Sequence, residues 1–136
     1  MIRTRRFSRT MLACLVALPA LACSSTSSPP GELMVTVETD IAIPKDIDQV
    51  QIDVSVRGQV ALSNTYDVGP QALKLPASLG VLAGKDPAAP VTIRAIGRQK
   101  GKARVLNKAV TTIPQNRVAE LRLSLDFLCI GKVTET

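Results

Sequence analysis

The sequence predicts an all-β fold, a single antiparallel β-sandwich of about seven strands. Three observations favour it. Apolar and polar residues alternate over short runs, which is typical of half-buried strands. Glycine and proline separate these runs at short intervals. No segment after residue 31 has the periodicity of a helix of about ten residues, so each strand must bury its apolar face against a second sheet.

The absence of certain residues from the sequence excludes some types of sandwich. There is no Trp, and no pair of cysteines lies within the predicted strands. Both absences argue against an antibody-type immunoglobulin domain, in which a buried Trp packs on an inter-sheet disulfide. We expect an immunoglobulin-like sandwich of the transthyretin or fibronectin type.

The first three strands are predicted at residues 32–40, 50–57 and 60–68. Between the first two, residues 41–48 contain isoleucines that we expect to close one end of the core. Arg57-Gly58-Gln59 predicts a hairpin turn between the second and third strands. The residues expected to point inward in the first two strands are Leu33, Val35, Val37, Val50, Ile52, Val54 and Val56.

The remaining strands are predicted at residues 72–75, 91–99, 102–113 and 118–127, with Pro76 ending the first of them. Lys100-Gly101 turns the second hairpin. The alternation there is blurred, because Ile96 is out of phase with Ile93, and a β-bulge would explain the change. The last strand is expected to point inward at Ala119, Leu121, Leu123, Leu125 and Phe127.

Residues 1–22 have the composition of an export signal. Four arginines and no acid occupy residues 1–10, and residues 11–22 are apolar but shorter than the ~20 residues that span a bilayer. The run Ala20-Leu21-Ala22-Cys23 resembles the lipobox of bacterial lipoproteins, although that family prefers Leu where this chain has Ala20. The resemblance implies a diacylglycerol on Cys23 and cleavage before it. Two alternatives are a plain secretory signal with an incidental cysteine and a retained membrane anchor.

Four segments follow from this interpretation. They are a signal peptide (1–22), a lipidated Cys23 with a flexible tether (23–31), a β-sandwich domain (32–130) and a tail (131–136). The tether sequence SSTSSPP is polar and flexible. Ser24 rather than Asp follows the cysteine, which by the resemblance implies the outer membrane of a Gram-negative cell, on its periplasmic or surface face.

Composition argues against several functions. Four of the seventeen basic residues lie in the signal. The mature chain therefore has thirteen basic and eleven acidic residues, which give it a formal charge of +2. Aromatic residues are scarce, and His is absent. These features argue against nucleic-acid and sugar binding and remove the usual general base and metal ligand. With no G-x-S-x-G or phosphate-binding motif, we expect no catalysis, no cofactor and no metal site.

Of the three cysteines, Cys14 lies in the signal and Cys23 at the predicted lipidation site. Cys129 then has no partner in the mature chain, in a compartment that favours disulfides. It is either a half-buried thiol at the end of the last strand or half of a disulfide whose partner lies outside this chain.

Two charge clusters offer binding hypotheses. Loop carboxylates such as Asp46 and Asp48 could take part in a calcium site, although no EF-hand pattern is present. The basic cluster comprises Arg94, Arg98, Lys100, Lys102, Arg104 and Lys108. It could contact lipid phosphates, or it could be a solubilising hairpin that pairs with acids across the sheet.

A further resemblance covers about residues 31–130. The segments GELMVTVETDIAIPKDIDQVQIDVSV, YDVGP, LKLPASLGVL and PVTIRAIGRQKGKARVLNKAVTTIP are similar to the N-terminal module of bacterial surface lipoproteins of unassigned function. The resemblance implies a sandwich at the cell surface and supplies no active-site residues. The expected function is a structural or protein-interaction module with an unidentified envelope partner. The alternative is an envelope glycan- or calcium-binding module that uses loops 41–48 and 82–90.

Overall fold

The computed structural model describes residues 31–133. This part of the chain contains seven strands and one 3₁₀ turn at Phe127–Cys129. The strands are β1 (Glu32–Thr39), β2 (Gln49–Val56), β3 (Gln59–Asp67), β4 (Ala77–Leu82), β5 (Val91–Gln99), β6 (Lys102–Thr111) and β7 (Val118–Leu125).

The strands form two sheets, which confirms an all-β, sandwich-like fold of seven strands. One sheet has the order β4-β1-β7 and the other has the order β3-β2-β5-β6. All neighbouring strands pair antiparallel except β1 and β7, which are parallel, with Glu32 opposite Val118 and Thr39 opposite Leu125. The prediction of a purely antiparallel sandwich was therefore wrong.

The path of the chain explains the parallel pair. β6 ends beside the start of β5, where Thr111 pairs with Val91. The loop after β6 stays at this end of the sandwich, so β7 begins next to the first residue of β1. Both strands then run the same way, and their inward residues reach the same core.

The core is almost wholly aliphatic and lies between the sheets. The predicted inward residues of β1 and β2 are buried, apart from the partly buried Val56 that packs against them. Ile41 and Ile47 are 4% and 0% exposed, which confirms that the connection after β1 closes one end of the core. A turn begins this connection, since the Asp46 amide donates to the Ala42 carbonyl at 2.9 Å.

The second hairpin contains a bulge, because the register of β5 and β6 shifts between Gly97 and Arg98. The bulge does not account for Ile96, which lies before it: ordinary alternation places Ile96 on the face of the sheet opposite Ile93, where it is buried. Gly97 and Val105 meet on the core side. The predicted bulge is thus confirmed and located.

Two strand predictions were wrong. Residues 72–75 form no strand, because the chain folds back on β3: the Leu73 amide donates to the Asp67 carbonyl and the Gly69 amide to the Leu73 carbonyl, at 3.1 and 3.2 Å. The fourth strand lies after Pro76 instead. Phe127 was expected to point inward, but β7 ends at Leu125 and Phe127 is 55% exposed on the following turn.

The sandwich has two ends, which we call proximal and distal. The proximal end contains Gly31, the β2–β3 turn and the loops 83–90 and 112–117. Hydrogen bonds join these parts: the Ala83 amide donates to the Gly31 carbonyl at 2.7 Å, and the Arg57 amide to the Pro90 carbonyl at 3.0 Å. The distal end contains the loop 40–48, the β5–β6 turn and the 3₁₀ turn.

Candidate functional site

The point at which the tether would join the domain is fixed. Cys23 itself lies outside the described residues. Gly31 is buried, its carbonyl accepts from Ala83, and the next amide, of Glu32, donates to the Arg117 carbonyl at 3.0 Å. The backbone of Pro114 and Gln115 occupies the space that a side chain at Gly31 would need. Gly31, the first residue that the structure describes, is therefore held at the proximal end of the sandwich.

A cleft of about 350 Å³ opens between the sheets at this proximal end. Arg57 on the β2–β3 turn forms an ion pair with Asp86 in the loop 83–90, and the Asp86 carboxylate also accepts from the Ala88 amide at 3.0 Å. The ion pair joins two segments that are far apart in sequence. Apolar side chains line most of the rest of the cleft, among them Val54, Val56, Val81, Val91 and Ile113.

A smaller cleft of about 160 Å³ lies between β3 and β4, the edge strands on one side of the sandwich. None of its lining side chains is charged, and only Tyr66 and Ser78 are polar. Apolar side chains make up the rest: Val35, Val37, Val50, Ile52, Leu73, Leu75, Ala77 and Leu79. This cleft can accept an apolar group, but it offers no acid or base for chemistry.

The structure does not bring the two proposed ligand-binding loops together. Residues 41–48 lie at the distal end, while loop 82–90 follows β4 at the proximal end. In the distal loop both carboxylate oxygens of Asp48 accept from the Lys100 amide, at 3.0 and 3.1 Å. Between residues 31 and 133, no group of three or more Asp, Glu, Cys or His residues is placed to hold a metal ion.

The basic cluster lies along the β5–β6 hairpin, whose turn is at the distal end. In register, Arg94 stands opposite Lys108 on β6 and opposite Asp53 on β2. The Asp53 carboxylate accepts from Gln51 and Ser63, each at 2.7 Å. The sheet thus places the acidic Asp53 beside the basic cluster, as the hypothesis of charge pairing across the sheet requires. Hydrogen bonds hold the Asp53 carboxylate in place.

Among the described residues, Ser78 and Ser124 form no recognisable nucleophilic site. Ser124 donates its hydroxyl to Glu38 at 3.0 Å, and the Ser78 and Thr36 hydroxyls lie 3.0 Å apart. Neither pair has the additional orienting group that nucleophilic catalysis requires. Both join neighbouring strands on the outer face of the three-stranded sheet.

Cys129 lies on the 3₁₀ turn, where it is exposed and forms no disulfide within the described residues. The expectation of a half-buried thiol was therefore wrong, because the chain leaves β7 two residues before Phe127 and the turn projects from the core. Its neighbours Phe127 and Leu128 are 55% and 83% exposed. No sequence pattern indicates this exposure, since the alternation of apolar and polar residues in β7 continues through residue 127.

Sequence reasoning missed both clefts, because each depends on which strands face one another across the core. No helix in the described range 31–133 has the length and apolar character needed to cross a membrane. Comparison of the chain with known protein families, with curated proteins and with solved structures finds no match.

Proposed function

We propose that this chain is an exported lipoprotein, attached to a bacterial membrane through lipid on Cys23, whose β-sandwich is a structural or protein-interaction module. One observation carries the proposal: a basic segment, a short apolar run and a cysteine are followed directly by the polar sequence SSTSSPP. The order is that of a lipoprotein signal and tether.

The start of the folded domain supports this proposal. β1 begins at Glu32, nine residues after Cys23, and Gly31 is already fixed in the fold. From Cys23 to Gly31 the tether of residues 23–31 can extend to at most roughly 29 Å, at about 3.3–3.6 Å per residue. That length suits a domain held close to the membrane that bears the lipid. The outer membrane of a Gram-negative cell is the proposed location.

The strand order bears on the type of sandwich. In the immunoglobulin constant domain, the first, second, fourth and fifth strands share one sheet. Here β1 and β4 lie in one sheet, and β2 and β5 in the other. This order differs from that of the immunoglobulin constant domain, and we therefore propose a sandwich of the transthyretin or fibronectin type.

We favour an interaction module over the glycan- or calcium-binding alternative because three of the loop carboxylates already have partners. Asp48 accepts from the Lys100 amide, Asp40 accepts from the Phe127 amide at 2.7 Å, and Asp86 pairs with Arg57. Each of these bonds closes a turn or joins two loops. A metal ion would have to compete with them for the same oxygens.

Metabolic labelling with an alkyne analogue of palmitate tests the lipid anchor. The full-length chain is expressed in a Gram-negative host, and incorporation is compared with that of the Cys23→Ser variant. Cys129→Ser is the matched control, since Cys129 is an exposed thiol that could be acylated nonspecifically. We expect labelling to be lost in Cys23→Ser and kept in Cys129→Ser.

Mass spectrometry of the intact product supplies the second measurement. The proposal expects a chain that begins at Cys23 and carries the added mass of the lipid. Equal labelling of Cys23→Ser, or an unmodified amino terminus, would overturn it.

A further inference from the structure

We infer that the proximal end of the sandwich is a membrane-contacting surface, which rests on lipid headgroups when the protein is anchored. The inference depends on the proposed lipid at Cys23 and adds the orientation of the domain. It starts from four exposed aliphatic side chains. They are the only exposed large aliphatic residues within the described strands, and each is 63–68% exposed: Val60, Leu82, Val110 and Val118.

These four side chains share one end of the fold. Leu82 is the last residue of β4 and Val118 the first residue of β7, and both stand opposite Glu32 at the start of β1. Val60 is the second residue of β3, and Val110 is the second-last residue of β6. All four therefore lie at the proximal end, where Gly31 joins the domain. We call them the proximal apolar rim.

The rim is divided between the outer faces of the two sheets. Leu82 and Val118 lie on the three-stranded sheet, on the face away from the inward-pointing Leu33. Val60 pairs with Ser55, and Val110 pairs with Thr92, on the outer face of the four-stranded sheet. A partner that covers one face would touch only two of the four. A surface that meets the sandwich end-on, such as a bilayer, can contact all of them.

Charge at the same end fits an anionic bilayer. Lys85 in the loop 83–90 and Arg117 in the loop 112–117 are both exposed, and Arg57 pairs with Asp86. With the half-buried Glu32, these three basic and two acidic residues leave this end a formal charge of +1. Basic residues near a membrane surface are attracted by anionic headgroups, while aliphatic side chains enter the boundary with the acyl chains. The tether begins at this end as well, so the lipid would hold the rim close to the membrane.

Tryptophan fluorescence tests the orientation, because the natural chain has no Trp. Single-Trp variants of the full-length lipidated protein are reconstituted into vesicles of phosphatidylethanolamine and phosphatidylglycerol that contain lipids brominated near the headgroup. Val118→Trp and Val110→Trp report on the two sheets at the proximal end. Leu128→Trp, at an exposed position of the distal end, is the control.

We expect the emission of both proximal reporters to shift to shorter wavelength and to be quenched by the brominated lipids. The Leu128→Trp emission should be the same with and without bromine. If circular dichroism shows that a variant does not fold, Leu82→Trp replaces Val118→Trp and Val60→Trp replaces Val110→Trp. Equal quenching at Leu128, or no quenching at the proximal positions, would overturn the inference.

The lipid itself is measured separately by mass spectrometry on the same preparations. A lipidated protein with unquenched proximal reporters refutes the orientation alone. A protein without lipid refutes the proposed anchor. The two failures are therefore distinguishable.

Discussion

Gly31 packs against the carbonyl group of Pro114 so closely that no side chain fits between them. This contact joins the first residue of the domain to the loop that connects β6 to β7. The Ala83 amide donates to the Gly31 carbonyl from the opposite side. The junction of tether and domain is thus set by backbone packing rather than by side chains.

We predict that Gly31→Ala destabilises the domain by about 1–3 kcal/mol, as overpacking of a closely packed site typically does. The added methyl group must displace the backbone of the loop 112–117, because no flexible side chain is present to move aside. Chemical denaturation followed by circular dichroism measures the change. Gly84→Ala is the matched control, since a Cβ there meets nothing within 4 Å. Equal stability of the two variants would contradict the packing at Gly31.

Val54→Asp should prevent folding. Val54 is 3% exposed in the centre of the four-stranded sheet, and an unpaired carboxylate there costs several kcal/mol, against a typical total stability of roughly 5–15 kcal/mol. Val60→Asp makes the same chemical change at a residue that is 68% exposed, and it should alter stability by less than about 0.5 kcal/mol. Circular dichroism and thermal melting compare the two. A folded Val54→Asp variant would refute the assigned inward face of β2.

The sequence predicts strands well where alternation is regular. β1 and β2 lie within one residue of their predicted bounds, and both hairpin turns are where glycine indicated. In those segments the inward face is read directly from the period of two.

What the sequence could not supply was pairing across long distances. The parallel contact of β1 with β7 joins residues 86 positions apart, such as Thr39 and Leu125, and no local pattern reports it. β4 was missed for a local reason, because its outward positions hold Ser78, Gly80 and the apolar Leu82, so apolar and polar residues do not alternate along its whole length. The proximal apolar rim and both clefts depend on this arrangement of strands, so local sequence patterns could not predict them either.

Gly97 and Val105 should be energetically coupled. A Cβ on Gly97 would lie 2.7 Å from Cγ1 of Val105 and 3.2 Å from Cγ2 of Ile47. Gly97→Ala should therefore destabilise the domain by about 1–3 kcal/mol through overpacking, and Val105→Ala by about 2 kcal/mol through lost burial.

In the double variant Gly97→Ala/Val105→Ala the new methyl group occupies part of the space that the valine leaves. The total loss should be smaller than the sum of the single losses by at least about 0.5 kcal/mol, the size expected for residues in contact. Chemical denaturation of the natural protein, the two single variants and the double variant completes this double-mutant cycle. If the two single losses of stability simply added, residues 97 and 105 would not compete for the same space.

Cys129 should react rapidly with a thiol reagent in the folded protein. It is exposed on the 3₁₀ turn and forms no disulfide within the described residues, so reagent access needs no unfolding. Labelling of the protein isolated under non-reducing conditions, followed by mass spectrometry, measures the reactive fraction. A Cys129 that reacts only after reduction would instead support the hypothesis of a disulfide partner outside this chain.

Calcium should leave the thermal midpoint unchanged. The loop acids accept hydrogen bonds from backbone amides, as Asp48 does from Lys100, and they lie at opposite ends of the sandwich. A ligand that binds only the folded state at 100 times its dissociation constant stabilises that state by about 2.7 kcal/mol, which a melting experiment detects readily. The thermal midpoint is measured in the presence of calcium and in the presence of a chelator, with magnesium as the control for ionic strength. A rise specific to calcium would favour the calcium-binding alternative, and its loss in Asp48→Asn would place the ion at the distal loop.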